Sequence, residues 1–242
     1  MPLGSFRLNS LAKFEAPSAN LGARSAAATF SASAGPSYST TARFGTNSIE
    51  TTSTTSRTYN ITVNPANTNW YLNTSNVWTI EFFSNALSKG SEGIRTIFST
   101  NNSLGQSGLN FSDTVANGTY QFDFRNDGTR LSDAHLSNGL PNENQWYHWA
   151  IVSLGNGTVR LYSNGTQRFS GDASLSGTNR TIAFGHASFV NPQTSNFAFD
   201  EIRISNNARY TANFTAPSTA FTNDANTLAL FHFNGTSTDD VS

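Results

Sequence analysis

Short runs of alternating apolar and polar residues, separated by turn signals, fill the chain from Ala42 onwards. Residues 120–125 (Tyr-Gln-Phe-Asp-Phe-Arg) alternate strictly, which predicts a strand with one buried face. Asn126-Asp127-Gly128 follows with residue types that tolerate positive φ, as a tight turn requires. Further strands are predicted at residues 78–83, 94–98, 146–152, 158–162, 181–185, 197–204 and 228–233. The pattern predicts an all-β sandwich or barrel, with a single helical turn at residues 205–210.

The first 41 residues lack this pattern and are interpreted as a separate region. Residues 16–36 are rich in Ala, Ser and Gly and fit neither a helix nor a strand. The residues before them carry a small cluster of apolar and basic side chains: Phe6, Arg7, Leu8, Leu11 and Phe14. Burying four apolar side chains contributes about 1.5–3 kcal/mol each, whereas ordering the segment costs on the order of 1–2 kcal/mol per residue. We therefore expect residues 1–41 to form an arm that a partner surface orders, with residues 42–242 as the globular domain. The alternative is an arm folded back on its own domain.

Composition and charge exclude several classes of function. The 14 basic and 15 acidic residues give a net charge of -1, so the chain has no basic surface for nucleic acid. No apolar stretch is long enough to span a membrane. The absence of cysteine removes disulfides, thiol catalysis and thiolate zinc sites. The first residues lack the apolar run of a signal peptide, so we expect synthesis and assembly in the cytoplasm.

Several sequence blocks follow one another in the order of a known domain. They are residues 42–45 (ARFG), 78–83 (WTIEFF), 146–150 (WYHWA), 159–165 (VRLYSNG), 199–205 (FDEIRIS) and 228–233 (LALFHF). Together they resemble the laminin-G-like, concanavalin A-like jelly-roll domain, of the kind found in structural proteins of phage and marine-virus particles. The resemblance covers residues 42–236 and implies a jelly-roll β-sandwich of two antiparallel sheets. The N-terminal arm lies outside it.

The block at residues 199–205 is interpreted as scaffold. We expect Ile202 and Ile204 to face the core on the same side as Asp200, with Glu201 and Arg203 facing outward. Asp200 would then brace a neighbouring backbone turn. The alternation in residues 228–233 indicates a closing strand that is covered on both sides.

The sequence does not predict an enzyme. Glycoside hydrolysis, the chemistry of many related sandwiches, needs two carboxylates roughly 5–9.5 Å apart in a cleft. Glu81 is the lone acid of its strand, and Phe199 and Arg203 stand two positions from Glu201. His148 shares its strand face with apolar residues, which favours a hydrogen-bonded core histidine over a general base. A glycoside hydrolase therefore stays a remote alternative.

No cofactor is expected, and calcium is the alternative considered. Asp113, Asp123 and Asp127 are weak candidate ligands, because acidic residues in loops usually serve turns. Glycan-binding residues are not assigned, although Trp70 and Tyr71 stand among amide side chains that could surround a sugar.

These observations predict a non-enzymatic phage virion structural protein. It would be a decoration or cement-type protein exposed on the virion surface. Its arm would bind the major capsid protein or another virion protein, and it could also form a homo-oligomer. The alternative is a glycan-binding adhesin, a lectin domain of a tail or head fibre that recognises host surface polysaccharide.

Overall fold

Strands are the regular elements of the part of the chain that the computed structural model describes. That part is residues 28–32, 37–51, 59–63, 71–88, 94–100, 109–116, 119–126, 129–130, 142–173, 175, 181–185 and 196–234. Within these ranges no helix forms, and none is therefore long and apolar enough to cross a membrane.

Fifteen strands are found in the described residues. In chain order they are β1 (Thr29–Ala32), β2 (Tyr38–Ser39), β3 (Ser48–Glu50), β4 (Tyr59–Thr62), β5 (Val77–Ala86), β6 (Ile94–Ser99), β7 (Leu109–Ala116), β8 (Thr119–Asn126), β9 (Thr129–Arg130), β10 (Trp146–Leu154), β11 (Thr158–Ser163), β12 (Thr166–Asp172), β13 (Thr181–Phe184), β14 (Phe197–Ser205) and β15 (Thr227–Phe231). Sheet A has seven strands in the order β1-β4-β13-β6-β7-β8-β9. Sheet B has eight, in the order β12-β11-β10-β5-β14-β3-β2, with β15 paired to the second half of β14. All ladders between named strands are antiparallel, which confirms the predicted sandwich of two antiparallel sheets.

The main core lies between the two sheets and is rich in aromatic side chains. Alternate residues of β5 point into it, and Phe82 is the central one. Its ring lies 6.3 Å from that of Phe98 and 5.1 Å from that of Phe184, both on sheet A. Trp149 of β10 meets Phe111 of β7 at 4.8 Å in an edge-to-face arrangement. Full burial of each such side chain contributes about 1.5–3 kcal/mol, so these cross-sheet pairs hold the two sheets together.

A second buried layer covers the outer face of sheet B. It is formed by residues 206–226, which connect β14 to β15 and are called the cover segment below. Phe214 packs on Tyr162 at 5.4 Å, and Phe221 packs on Phe83 at 5.7 Å. The central strands β5, β10 and β14 of sheet B are consequently buried on both faces. So is β15, which confirms the prediction that this closing strand is covered on both sides.

The helical turn predicted at residues 205–210 is wrong. The backbone there is irregular and is fixed to sheet B by side-chain hydrogen bonds. The Thr79 hydroxyl donates to the Asn207 carbonyl at 2.7 Å and accepts the Arg209 N–H at 3.0 Å. These bonds satisfy backbone groups that would otherwise need a helical turn.

The N-terminal boundary predicted at residue 41 is also wrong. β1 and β2 lie within residues 1–41, yet β1 pairs with β4 and β2 pairs with β3. Phe30 packs 5.7 Å from each of the rings of Tyr59, Phe231 and Phe233. Both strands are short edge strands held mainly by backbone hydrogen bonds, and β1 carries only one large apolar side chain, the partly buried Phe30. Their hydrophobic pattern is therefore too weak to reveal them.

A β-bulge interrupts β14 at Asp200 and Glu201. Phe199 and Ile202 both face the main core, and Ile204 follows, which confirms the inward positions predicted for the two isoleucines. The intervening pair shifts the register against β5, and Glu201 adopts a φ of 51°. Asp200 therefore does not share the core face as expected. Glu201 lies on the outer face, but the cover segment buries it fully there, so it does not reach solvent. Arg203, also expected outside, is nearly buried.

Asp200 braces the turn before β3, as the sequence predicted. Its Oδ2 accepts the N–H groups of Arg43 at 2.8 Å and Phe44 at 3.1 Å, and its Oδ1 accepts the N–H of Glu201 at 2.8 Å. One carboxylate thus ties together the bulge and a turn 157 residues away in sequence.

The Asn164-Gly165 turn between β11 and β12 provides a test of how the cover segment is seated. Gly165 has a φ of 79°, and its carbonyl accepts the Phe214 N–H at 2.9 Å. A Cβ on Gly165 would lie 1.9 Å from the Phe214 carbonyl oxygen, whereas a Cβ on Gly157, also at positive φ, would meet nothing within 4 Å. We expect Gly157→Ala to lower the free energy of unfolding by about 1–2 kcal/mol through backbone strain alone. Gly165→Ala should lower it by roughly 1–3 kcal/mol more, because the cover segment must move. Urea unfolding measures the free energy of unfolding of both variants. Equal decreases for the two variants would contradict the close packing of the cover segment on Gly165.

The protonation of Asp200 gives a pH-dependent test of the brace. Burial raises the pKa of Asp200 from 3.8 to about 7, and the Glu201 charge adds to this rise, although the N–H groups of Phe44 and Arg43 oppose it. The folded protein therefore binds this proton more tightly than the unfolded chain does. The contribution of this bound proton to the free energy of unfolding is complete below pH 3.8 and is lost as the pH rises through 7. Asp200→Asn keeps an acceptor but cannot ionise. We expect its free energy of unfolding to rise relative to wild type between pH 4 and pH 8, by at most roughly 4 kcal/mol. Urea unfolding over this range measures the difference, and a constant difference would refute the assignment.

Candidate functional site

Glu81 stands at the centre of the most highly connected group of polar side chains in the described residues. It lies midway along β5 on the outer face of sheet B and is fully buried under the cover segment. Its Oε1 accepts from Arg203 Nε at 2.8 Å and lies 2.7 Å from Arg203 Nη2. Its Oε2 accepts from the Tyr210 hydroxyl at 2.7 Å and lies 3.2 Å from His148 Nε2. Three strands and the cover segment therefore converge on one carboxylate.

The partners of Glu81 keep it ionised. Burial alone would raise the pKa of this carboxyl group, but the hydrogen bond from His148, the Arg203 charge and the Tyr210 hydroxyl together hold its pKa below the usual value. The same environment acts in the opposite direction on the phenol, because burial and the Glu81 charge raise the pKa of Tyr210. Glu81 is thus a permanent anion and Tyr210 a permanent donor at neutral pH.

This arrangement fits a structural role better than acid–base chemistry. A general acid or base must reach a substrate proton within hydrogen-bond distance. Glu81 and His148 are fully buried. The rings of Phe83, Phe214 and Phe221 surround the imidazole at 5.1–5.9 Å. His148 is thus a buried, hydrogen-bonded histidine, as predicted.

A second buried carboxylate, Glu201, holds the other end of the cover segment. Its Oε2 accepts the Phe221 N–H at 2.7 Å, and its Oε1 lies 2.8 Å from His232 Nδ1. Arg203 assists by donating to the Thr222 carbonyl at 3.0 Å while its guanidinium lies 4.4 Å from the Phe221 ring centroid. Glu201 therefore links the bulge in β14 to the cover segment.

The cover segment also carries a clamp at its rim. Arg209 donates two hydrogen bonds to Asp224, at 2.8 and 2.9 Å, and a third to the Ser205 hydroxyl at 2.6 Å. The hydrogen bond from Arg209 lowers the pKa of Asp224, so the pair stays charged. The Arg209–Asp224 ion pair thus joins the beginning of the cover segment to its end, between β14 and β15.

The site residues predicted from the sequence are not brought together in the described residues. The arm residues Phe6, Arg7, Leu8, Leu11 and Phe14 lie outside the described part of the chain, and so does Asp127. The backbone register pairs Asp123 with Ser112 and Asp113 with Phe122, so the two acids do not stand directly opposite one another. The described residues contain no group of three His, Cys, Asp or Glu side chains that could hold a metal ion. Calcium binding and arm anchoring stay predictions.

The sugar-binding candidates are only partly described. Trp70 lies outside the described residues, and Tyr71 is half-buried. Asn73 serves its own turn: its side-chain oxygen accepts the Asn76 N–H at 3.0 Å, and its carbonyl accepts the Trp78 indole N–H at 2.9 Å.

Sequence reasoning missed the group around Glu81. The alternation in β5 does place Glu81 opposite the core face, but it cannot show that a second layer covers that face. One feature of the sequence could have indicated the group. Glu81, His148 and Arg203 all fall on outward positions of central strands, where a charged side chain needs either solvent or a partner.

Comparison with known proteins agrees with this architecture. The family model Laminin_G_3, described as the concanavalin A-like lectin/glucanases superfamily, matches residues 13–215. The match begins inside the region expected to be an arm. No curated protein sequence matches the chain significantly.

Solved structures with the same fold include binding domains of bacterial toxins. The botulinum neurotoxin serotype D binding domain has a TM-score of 0.53 and 17% identity, covering 76% of this chain and 44% of that one. The binding domain of Paraclostridial Mosquitocidal Protein 1 has the same TM-score and identity, covering 76% and 45%. This chain thus spans less than half of each structure, and the likeness shows the fold alone. Because the family model covers most of the chain, this protein belongs to the Laminin_G_3 family of concanavalin A-like domains.

Proposed function

We propose that this protein is a non-enzymatic structural component of a phage particle. It is displayed on the virion surface as a decoration or cement-type protein. Its N-terminal segment anchors it to the major capsid protein or to another virion protein, such as a tail component. Assembly takes place in the host cytoplasm.

The position where the N-terminal segment enters the sandwich carries this proposal. β1 is the outermost strand of sheet A, joined to β4 by its ladder and to the core by Phe30. The residues preceding β1 include the apolar cluster at residues 6–14. A segment bound to a particle would therefore be connected to a strand that is hydrogen-bonded into sheet A. The edge of the sandwich opposite β1 would then face away from the particle.

Two further features support a structural role. The carboxylates Glu81, Asp200 and Glu201 are buried and fully engaged in holding the chain, so none of them is available to a substrate. The net charge of -1 suits many copies packed on one surface, where like charge would repel.

Attachment tests the proposal directly. Deleting residues 1–27 removes no described strand, so the truncated protein should fold with an unchanged melting temperature. Its attachment to phage particles that lack the protein should weaken roughly hundredfold or more, because many weak contacts on one particle add through effective concentration. Co-sedimentation with particles over a concentration series measures this.

A matched pair of full-length variants controls for segment length. Replacing Phe6, Leu8, Leu11 and Phe14 together by Ser should abolish attachment, whereas Ser18→Ala with Ser25→Ala should retain it. Full attachment of the truncated protein or of the four-serine variant would refute anchoring by this segment.

Glycan binding is the second candidate function. The family description includes lectins, and a related structure is described as the receptor binding domain of botulinum neurotoxin D. A displayed sandwich could act as an adhesin for host surface polysaccharide while still anchored to a particle.

A glycan array with and without calcium distinguishes the two functions. If the protein is a lectin, we expect reproducible binding to a defined set of glycans at micromolar protein concentration. If calcium mediates it, chelation and the double variant Asp113→Asn/Asp123→Asn should each abolish the signal, while the exposed-site control Glu143→Gln should not. An array without signal in either condition would eliminate the lectin function.

A further inference from the structure

Two arginines, Arg160 of β11 and Arg168 of β12, lie on the outer face of sheet B. Leu161 packs in the main core and Tyr162 packs on Phe214 of the cover segment, so Arg160 shares the outer face with Tyr162. The register skips Arg168, which is the extra residue of a β-bulge. In a bulge two residues face one residue of the partner strand, so Arg168 lies on the side of Tyr162. Long side chains on neighbouring strands reach one another at such positions, so both guanidinium groups can contact one small anion.

Both guanidinium groups have donors that no acceptor satisfies. The Nη1 of Arg160 donates to the Thr211 carbonyl of the cover segment. The Nε of Arg160 is buried and has no hydrogen-bond partner, and the same is true of the Nε of Arg168. A buried donor without an acceptor is unfavourable, and more so when it carries a charge. The two side chains therefore retain a capacity for an acceptor that the described residues do not use.

Arg203 shows how this chain satisfies such a guanidinium group. Its Nη1 donates to the Thr222 carbonyl of the cover segment at 3.0 Å, while its Nε and Nη2 lie 2.8 and 2.7 Å from the Glu81 carboxylate. Arg160 likewise bonds through Nη1 to a carbonyl of the cover segment, and its unpaired Nε belongs to the edge that holds the carboxylate in Arg203. This edge of arginine matches a carboxylate in shape and charge. A carboxylate is therefore the group that fits Arg160.

The described residues do not supply that carboxylate. Among them no acid forms an ion pair with Arg160 or Arg168. Asp172, the acid of β12, is exposed and stands opposite Thr158 in the ladder. Exposed hydroxyl and amide side chains stand nearby in β12 and the cover segment: Thr166, Gln167 and Asn213. The surroundings of the arginine pair are thus polar and suit a hydrophilic ligand.

The position of the pair indicates where its ligand comes from. β12 is the outermost strand of sheet B, and β1, which the N-terminal segment enters, is the outermost strand of sheet A. Phe30 of β1 contacts Phe231 of β15, whereas β12 is separated from β15 by β11, β10, β5 and β14. On an anchored copy the pair would therefore lie at the edge that faces away from the particle.

We propose that Arg160 and Arg168 bind the carboxylate of a uronic acid unit in an acidic polysaccharide of the host surface. The inference rests on glycan binding as the second candidate function and names the chemical class of its ligand. The nearby hydroxyl and amide groups suit the sugar hydroxyl groups, which both donate and accept hydrogen bonds. Such a polysaccharide repeats its carboxylates, so many displayed copies can bind one chain and their weak contacts add through effective concentration.

Binding of uronic acid oligosaccharides to the full chain tests the proposal. The probes are oligosaccharides of polygalacturonate, alginate and hyaluronate, each compared with its carboxyl-reduced form by isothermal titration calorimetry. We expect at least one acidic oligosaccharide to bind, and its carboxyl-reduced form to bind roughly tenfold more weakly or not at all. Equal affinity for the acidic and reduced forms, or no binding of any acidic one, would overturn the proposal.

A matched pair of variants tests the site itself. Arg168→Gln removes a guanidinium group whose Nε has no partner, so the melting temperature should stay within a few degrees of wild type. Its affinity for the acidic oligosaccharide should fall roughly tenfold or more. Arg43→Gln makes the same change of charge at an exposed arginine in the turn before β3, and it should leave the affinity within about twofold, because salt screens a distant charge. Equal losses in the two variants would reveal attraction by net charge alone and would overturn the site.

The glycan array separates failure of this site from failure of the lectin function. Binding confined to neutral glycans would overturn the assignment of a carboxylate ligand and leave the lectin function intact. An array without signal would overturn both.

Discussion

The buried carboxylate of Glu81 is the constraint on which the architecture of sheet B depends. Removing a carboxylate from water costs several kcal/mol, and the cost is offset only where partners satisfy its oxygens with good geometry. Here Arg203 and His148 come from the strands on either side of β5, and Tyr210 comes from the cover segment. The cover segment therefore has one position in which the charge is satisfied. In that position its aromatic residues bury Phe83 and Tyr162, which would otherwise form an apolar patch on the outer face of the sheet.

The same constraint determines where a function can lie. Glu81 and Glu201 hold the two ends of the cover segment, and Asp200 holds the turn before β3. These carboxylates are structural because each accepts hydrogen bonds from groups distant in sequence. The central strands of sheet B are closed on both faces as a result, so among the described residues the contacts of the sandwich with other molecules are left to its edges. The edge strands β1 of sheet A and β12 of sheet B differ in character. β1 is short and continues toward an apolar segment, whereas β12 is longer and carries two opposite charges.

The sequence predicted the parts of the fold that local pattern controls. Alternation located β5, β8, β10 and β14, and the resemblance of the blocks around them gave the correct family fold. It missed β1 because a short edge strand held by backbone hydrogen bonds has almost no hydrophobic period. It also placed Asp200 on the core face, because strict alternation cannot foresee a bulge with a residue at positive φ. It expected Glu201 to be exposed, because alternation cannot show that the cover segment buries that face of the sheet. The group around Glu81 was beyond local reasoning, since His148 and Arg203 stand 67 and 122 residues from it in sequence.

The proposed anchor is weak when it acts alone. The apolar cluster of the N-terminal segment has four apolar side chains that contribute about 1.5–3 kcal/mol each when buried, against the cost of ordering the backbone around them. A single segment of this kind binds weakly. The pairing of β1 with β4 fixes the point at which the segment leaves the sandwich, so no ordering cost is added beyond that point. Stable display would therefore depend on many copies on one surface, where weak attachments that are joined to one another add through effective concentration.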